Sequence, residues 1–134
     1  MKHLASIALL ISATLSYPVV ANDTYTVYLV RHADKDTSDK TNRNPLLTYC
    51  GQQRADQLAT MLEHIQLSTI YSTDYKRTQA TAKPVAQSKT LTITPYDPRA
   101  LNDLTKEIKS RQSNALVVGH NSTTNVVAGN LAGI

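Results

Sequence analysis

Apolar runs and amphipathic segments alternate along the chain. Residues 25–30 (Tyr-Thr-Val-Tyr-Leu-Val) form a nearly continuous apolar run rich in β-formers, which predicts a strand buried on both faces. The polar stretch at residues 34–44 predicts a long loop. A helix is predicted from Thr48, because apolar residues then recur at three- and four-residue intervals, as packing on a sheet requires; these are Ala55, Leu58, Ala59, Leu62 and Ile65.

The same alternation continues to the end of the chain. Regular alternation of strand and helix is typical of a parallel or mostly parallel sheet with helices on both faces, so we predict a three-layer αβα sandwich of the α/β class. The further strands are predicted at residues 68–72, 91–94 and 115–118, and the further helices at residues 74–87, after residue 97 and from Asn121.

Local signals predict how two of these helices begin. Thr73 is the predicted cap of the second helix, and Pro84 inside that helix is expected to kink or end it. Asp97 and Pro98 have the pattern of an N-cap followed by proline at the first helical position. The apolar stripe of this third helix is Leu101, Leu104 and Ile108.

The N-terminal segment has the pattern of an export signal. Lys2 supplies a positive charge, an apolar run follows at residues 4–15, and small residues end the segment at residues 19–21. The run is too short to span a bilayer, so a cleaved signal peptide at residues 1–21 is preferred to an uncleaved anchor. We therefore expect a periplasmic or secreted protein with no stable membrane insertion after cleavage, and one domain at residues 22–134.

Composition restricts the classes of function. The formal net charge of +4 is mild and spread along the chain, and there is no Trp or Phe to stack on bases, so nucleic acid is not an expected partner. A modest attraction for anionic substrates is expected instead. Cys50 is the single cysteine, which excludes an internal disulfide, and it is predicted to be a partly buried small residue and not a reactive thiol.

Histidines and arginines follow the predicted strands. Arg31 and His32 come directly after the first strand, Arg77 lies one turn into the helix after the second, and His120 closes the fourth. Because ligands bind beyond the carboxyl ends of parallel strands, these four side chains are expected to converge. Guanidinium groups bind phosphate oxygens, a neutral imidazole can attack phosphorus, and a second imidazole can stabilise the transferred group. The combination predicts a site for a phosphoryl group.

The motifs resemble the histidine phosphatase superfamily, which includes the phosphoglycerate mutases. Residues 30–35 (Val-Arg-His-Ala-Asp-Lys) resemble its first signature, with an ending similar to the short bacterial phosphohistidine phosphatase branch. Residues 45–55, 72–82 and 117–121 resemble its later motifs in the same order. The resemblance covers nearly all of residues 25–131.

The resemblance implies a phosphoglycerate mutase-like fold and a phosphatase that needs neither metal nor cofactor. His32 would attack phosphorus and become phosphohistidine, which water then hydrolyses. Arg31, Arg77 and His120 would hold the phosphoryl oxygens, and Asn121 would add a substrate contact. The substrate would be a phosphorylated small molecule or a phosphoprotein. Mutase activity is less favoured, because the chain has little length for a protective lid.

Two departures from the family leave alternatives open. Larger members carry a glutamate that acts as general acid; here the candidates are Asp97, Asp34, Asp103 and Glu107, or no residue at all. Without a strong acid, substrates with good leaving groups are favoured, and a binding protein that performs no chemistry is the alternative function. Members also usually continue into another strand after the fourth helix, which leaves two alternatives: a domain incomplete at its C-terminus, or a sheet with one strand fewer.

Overall fold

The computed structural model describes residues 24–134, and the predicted signal peptide lies outside them. Strands and helices alternate throughout this part of the chain: β1 (Val27–Arg31), α1 (Tyr49–Met61), β2 (Thr69–Thr73), α2 (Lys76–Lys89), β3 (Ile93–Tyr96), α3 (Leu101–Arg111), β4 (Ala115–Gly119) and α4 (Asn121–Ala132). None of the helices in this part of the chain has the length and apolar character needed to cross a membrane.

The strands form one parallel sheet in the order β1-β4-β2-β3. Two clusters of buried residues form the core, one on each face of this sheet. Ile70 of β2 and Leu116 of β4 pack with Val85 of α2 on one face. Tyr71 and Val117, the next residues along the same two strands, pack with α3 and α4 on the other. This alternation confirms the predicted α/β sandwich with helices on both faces.

The first strand is less buried than its sequence predicted. All five residues of β4 are buried, because this strand lies between β1 and β2. The residues of β1 are only partly buried or exposed, because β1 lies at one edge of the sheet in the described part of the chain. The expectation of a strand buried on both faces was therefore wrong for β1, since an apolar run does not reveal its place in the sheet.

Both predicted helix caps were wrong. Thr73 is the last residue of β2, and α2 begins two residues after it, following Tyr75, whose side chain makes no capping bond. Helix α3 begins at Leu101 after Ala100, while the Asp97 carboxylate accepts hydrogen bonds from the backbone and side chain of Arg99. Asp97 thus stabilises the connection before α3 and not the helix itself. Pro84 does not end α2, which continues to Lys89.

Candidate active site

The parallel sheet brings the predicted site residues to one edge. His32 follows β1, His120 follows β4, and these two strands are neighbours. The ring centroids of His32 and His120 are 5.5 Å apart with an angle of 66° between the ring planes. Arg77 lies in the first turn of α2, and its guanidinium reaches His120. The sheet therefore unites three side chains that are far apart in sequence within the span of one small anion.

The backbone around His32 is fixed on both sides. The His32 N–H donates to the Gly119 carbonyl at 3.0 Å, and the Ala33 N–H donates to the hydroxyl of Thr81 at 3.0 Å. The ring Nδ1 of His32 lies 2.8 Å from the carbonyl oxygen of Ala33. A carbonyl can only accept, so Nδ1 carries the proton and, in the neutral ring, Nε2 holds a free lone pair. Nε2 is thus the nucleophilic nitrogen.

A chain of hydroxyl groups determines the tautomer of His120. Nε2 of His120 lies 2.9 Å from Thr73 Oγ1, which in turn lies 3.0 Å from Thr78 Oγ1. The Thr78 hydroxyl donates to the carbonyl oxygens of Thr73 and Tyr75, at 2.8 and 2.9 Å. Because the chain ends on acceptors, each hydroxyl donates forward, and the first donor must be His120 Nε2–H. Both threonine side chains are fully buried, so water does not compete with these bonds.

Nδ1 of His120 consequently carries the lone pair and faces Arg77, whose Nη2 donates to it at 3.4 Å. The Arg77 guanidinium also lies over the ring of Tyr75, 4.6 Å from its centroid. Its Nη1 reaches the Arg43 carbonyl at 3.5 Å, and its buried Nε has no partner among the described residues. Long bonds and an unpaired buried donor leave this guanidinium able to bind an anion.

The environment keeps both imidazoles neutral. Burial lowers the pKa of His32 from its usual 6.5; the charges of Arg77, Arg31 and Lys35 lower it further, against a hydrogen bond to Ala33 that raises it. Burial, followed by the charges of Arg77, His32, Arg31 and Lys35, lowers the pKa of His120 to about 4. The negative charge of a bound phosphoryl dianion would offset the effect of these cations on the pKa of His120 and favour its protonated form.

The structure places Arg31 and Asn121 less centrally. The exposed Arg31 lines a cavity of about 360 Å³ together with His32, Lys35 and Arg54, and its charge acts on both imidazoles. Asn121 is the exposed first residue of α4. Among the described residues, no hydrogen bond joins its side chain to either histidine. Its predicted substrate contact stays a prediction.

The four candidate acids lie in different surroundings. Asp34 lines the cavity of His32 and forms a salt bridge of 3.1 Å with Arg54. Asp97 is paired with Arg99, whose hydrogen bonds lower the pKa of Asp97 and favour the ionised form.

The other two candidates lie on α3. Glu107 accepts hydrogen bonds from Tyr71 and Arg111, and Asp103 lines a separate surface cavity beside Val126. Of the four, only Asp34 shares a cavity with His32, while Asp97 lines the neighbouring cavity that contains Tyr75.

Sequence reasoning missed the supporting residues of the site. Thr73 was interpreted as a helix cap, Thr78 had no assigned role, and Tyr75 was not considered. The Tyr75 ring meets His120 edge-on with a centroid distance of 5.1 Å. Their position in the sequence could have indicated them, because residues at and just after the end of a central parallel strand border the ligand site.

The residues do not form a metal site of the usual kind. Within residues 24–134, no group of three or more His, Cys, Asp and Glu side chains is placed to hold a metal ion.

Comparison with known proteins agrees with the fold and the motifs. The model of the histidine phosphatase superfamily (branch 1) matches residues 27–99, which is more than half of the chain. The chain therefore belongs to the histidine phosphatase superfamily. No curated protein sequence matches the chain.

Several solved structures have a similar fold. SixA from Agrobacterium tumefaciens, assigned as a phosphohistidine phosphatase, is 20% identical over 80% of this chain and 76% of its own, with a TM-score of 0.67. The alpha-ribazole phosphatase from Shigella flexneri is 14% identical over 81% and 80%, with a TM-score of 0.69. A protein histidine phosphatase SixA complexed with tungstate is 16% identical over 77% and 74%, with a TM-score of 0.65.

Proposed function

We propose that this protein is a phosphatase that acts through a covalent phosphohistidine at His32. The observation that carries the proposal is the hydrogen bond from His32 Nδ1 to the Ala33 carbonyl, beside a neutral His120 and the Arg77 guanidinium. It leaves a lone pair on His32 Nε2 within the group of cations that a phosphoryl group requires. Membership in a family of phosphatases supports the same assignment.

The reaction would proceed in two displacements. Nε2 of His32 forms a bond to phosphorus as the bond from phosphorus to the leaving group breaks, and the leaving group departs with the electron pair. Water then attacks phosphorus, the bond to Nε2 breaks, and inorganic phosphate is released. Arg77, Arg31 and a protonated His120 would hold the oxygens and balance their charge, without a metal ion.

The surroundings of the acid candidates favour good leaving groups. Asp34 pairs with Arg54, and the hydrogen bonds from Arg99 lower the pKa of Asp97 and favour its ionised form, which cannot donate a proton. Phosphoramidates and acyl phosphates, whose leaving groups need little assistance, are therefore preferred to simple alkyl esters. Phosphorylated small molecules and phosphoproteins both fall within this class.

Hydrolysis of an aryl phosphate and of acetyl phosphate by the purified protein, with EDTA present, tests the proposal. We expect turnover by the wild type, an acid-labile labelled phosphoenzyme, and loss of both in His32→Ala. His64→Ala is the matched control, because His64 is an exposed histidine outside the site. Undiminished turnover in His32→Ala would refute the nucleophilic role.

The paired state of Asp97 and Asp34 favours one second candidate, a protein that binds phosphoryl ligands without hydrolysing them. It predicts calorimetric binding of phosphate or vanadate together with no phosphoenzyme in a rapid-quench experiment. Trapping a phosphohistidine that is absent from His32→Ala would exclude this candidate.

We also propose export to the periplasm or the medium, supported by the charged, apolar and small-residue order of residues 1–21. Cell fractionation followed by N-terminal sequencing tests it. A mature N-terminus near residue 22 in the exported fraction is expected, and a full-length cytoplasmic product would contradict it.

A further inference from the structure

The hydroxyl of Thr81 lies between the two segments that carry His32 and Arg77. Thr81 is one turn after Arg77 in α2, and only 2% of its surface is exposed. Its Oγ1 lies 2.7 Å from the carbonyl oxygen of Arg77 and 3.0 Å from the backbone nitrogen of Ala33, the residue that follows His32. One buried side chain therefore contacts the backbone of both segments.

The directions of these two hydrogen bonds are fixed by the groups that make them. A carbonyl oxygen can only accept, so the Thr81 hydroxyl donates its single proton to Arg77. A lone pair of the same oxygen then accepts the Ala33 N–H. Because the side chain is buried, water does not compete with either bond. The hydroxyl thus forms a bridge between the two segments, and neither bond involves a group that titrates.

The bridge acts on the backbone directly beside the nucleophile. In the described part of the chain, no other hydrogen bond joins residues 32–34 to α2. The His32 N–H is bound to the Gly119 carbonyl of β4, which fixes the preceding side of this residue. Thr81 fixes the peptide unit that follows, and the Ala33 carbonyl in turn accepts from the His32 ring. A movement of Ala33 would therefore shift or release the imidazole.

We propose that Thr81 is a positioning residue for phosphoryl transfer. It holds the backbone that follows His32 against the turn of α2 that carries Arg77, so the nucleophilic nitrogen and the guanidinium keep a constant separation. The proposal rests on the proposed phosphatase function, because this separation matters only if His32 attacks a phosphoryl group that Arg77 binds. Thr81 acts through the backbone and donates no group to the substrate.

The loss of the bridge should affect kcat more than KM. The side chains proposed to bind the phosphoryl oxygens, Arg31, Arg77 and His120, are all retained when the Thr81 hydroxyl is removed. The attack by His32 is more sensitive, because a displacement of about 1 Å can slow a reaction by about a hundredfold. A loosely held nucleophile therefore slows the chemical step while substrate binding changes little.

Steady-state kinetics of Thr81→Val with an aryl phosphate, at constant pH and with EDTA present, test the proposal. Valine has nearly the same shape but no hydroxyl, and we expect kcat to fall at least about tenfold while KM changes by less than about threefold. Thr81→Ser keeps the hydroxyl and should retain kcat within about twofold of the wild type. If Thr81→Val does not fold, Thr81→Ala removes the same hydroxyl without placing a methyl group against a carbonyl, and the same fall in kcat is expected.

Thr105→Val in α3 is the matched control. Thr105 is also buried, and its hydroxyl donates to the carbonyl oxygen of Leu101, four residues earlier, at 2.8 Å. Thr81 makes the same bond within its own helix, so the control reproduces the local loss without the bridge to Ala33. We expect kcat and KM of Thr105→Val to stay within about twofold of the wild type, because this bond lies within one helix.

Unchanged kcat in Thr81→Val, a fall that Thr81→Ser shares, or an equal fall in Thr105→Val would overturn the proposal. A rise in KM that accounts for the whole loss of kcat/KM would also overturn it, because Thr81 would then support binding and not alignment. Failure of the phosphatase proposal gives a different pattern, in which the wild type itself shows neither turnover nor a phosphoenzyme. That result would overturn both proposals together.

Discussion

At the scale of single residues, the site depends on which nitrogen of each imidazole carries the proton. Backbone carbonyls decide this in both cases, directly for His32 and through two buried threonine hydroxyls for His120. Neither tautomer requires a charged partner, unlike a histidine held by a carboxylate. In the neutral rings the lone pair is therefore on Nε2 of His32 and on Nδ1 of His120.

Replacing Thr73 should separate the role of this hydroxyl chain from its packing. Thr73→Val removes the acceptor for His120 Nε2–H, and we expect kcat/KM to fall about fivefold, since a neutral hydrogen bond contributes about 1 kcal/mol. Thr73→Ser keeps the hydroxyl and should retain most activity. Nitrogen chemical shifts of the His120 ring report the tautomer, and an unchanged tautomer with full activity in Thr73→Val would contradict the role.

The pH dependence of activity follows from the lowered pKa values. His32 must be neutral to attack, and its pKa in the free protein lies below 6.5. His32 sets the acid limb of kcat/KM for an aryl phosphate, and we expect this limb to lie below pH 6.5, once substrate ionisation and the proton taken up by His120 are taken into account. Replacing Arg31 by Gln removes one nearby cation and should move the acid limb to higher pH. A limb that moves to lower pH in Arg31→Gln would contradict this account.

At the scale of elements, a glycine lets α1 approach the loop that follows His32. The α1 N-terminus is capped by Thr48, whose hydroxyl accepts from the Gly51 N–H at 3.0 Å. The Thr48 N–H donates to the Asp34 carbonyl at 2.8 Å, and a Cβ on Gly51 would overlap that same carbonyl oxygen. The position of the loop therefore requires a residue without a side chain at position 51.

Gly51→Ala should destabilise the protein by about 1–3 kcal/mol, the usual range for overpacking. The sign of this change is informative, because replacing glycine by alanine within a helix normally stabilises the helix by up to about 1 kcal/mol. Chemical denaturation measures the change. Cys50→Ala is the neighbouring control in the same helix, because Cys50 is exposed and not partly buried as predicted. Stability equal to that of the wild type would show that the loop can move away.

The sequence predicted element types well and their ends less well. Every helix and strand of the described chain was predicted, and apolar periodicity supported α1 and α3, since burial on a sheet requires it. Caps were misassigned at Thr73 and Asp97 because both residue types also bond within strands, turns and connections. The histidine and arginine positions could be predicted from motifs, whereas the hydroxyl chain depends on contacts between distant segments, such as Thr73 with His120, that one sequence does not reveal.

At the scale of the whole molecule, the site affects stability as well as chemistry. Both histidines have a lower pKa in the folded protein than the usual 6.5, so the unfolded chain binds more protons below that pH. The free energy of unfolding should therefore decrease as the pH falls from 6.5 towards 4, the region in which His120 finally becomes charged. Above pH 6.5 these two groups should have little effect.

Denaturation at pH 7.5, 6 and 5 tests this expectation. His120→Asn should weaken the decrease in stability between pH 6.5 and 4, because one group with a lowered pKa is removed. His64→Asn, which changes an exposed histidine, should leave the slope unchanged. The same slope in wild type and His120→Asn would show that the site makes no contribution to acid sensitivity.

The bond from the His32 N–H to the Gly119 carbonyl has a consequence for how an anion is received. Gly119 directly precedes His120, so one peptide unit and one backbone hydrogen bond connect the two ring-bearing residues across adjacent strands. Thermal motion of the loops cannot change that spacing without breaking the sheet. We expect a preorganised site that binds its anion in a single kinetic step, with almost no backbone adjustment.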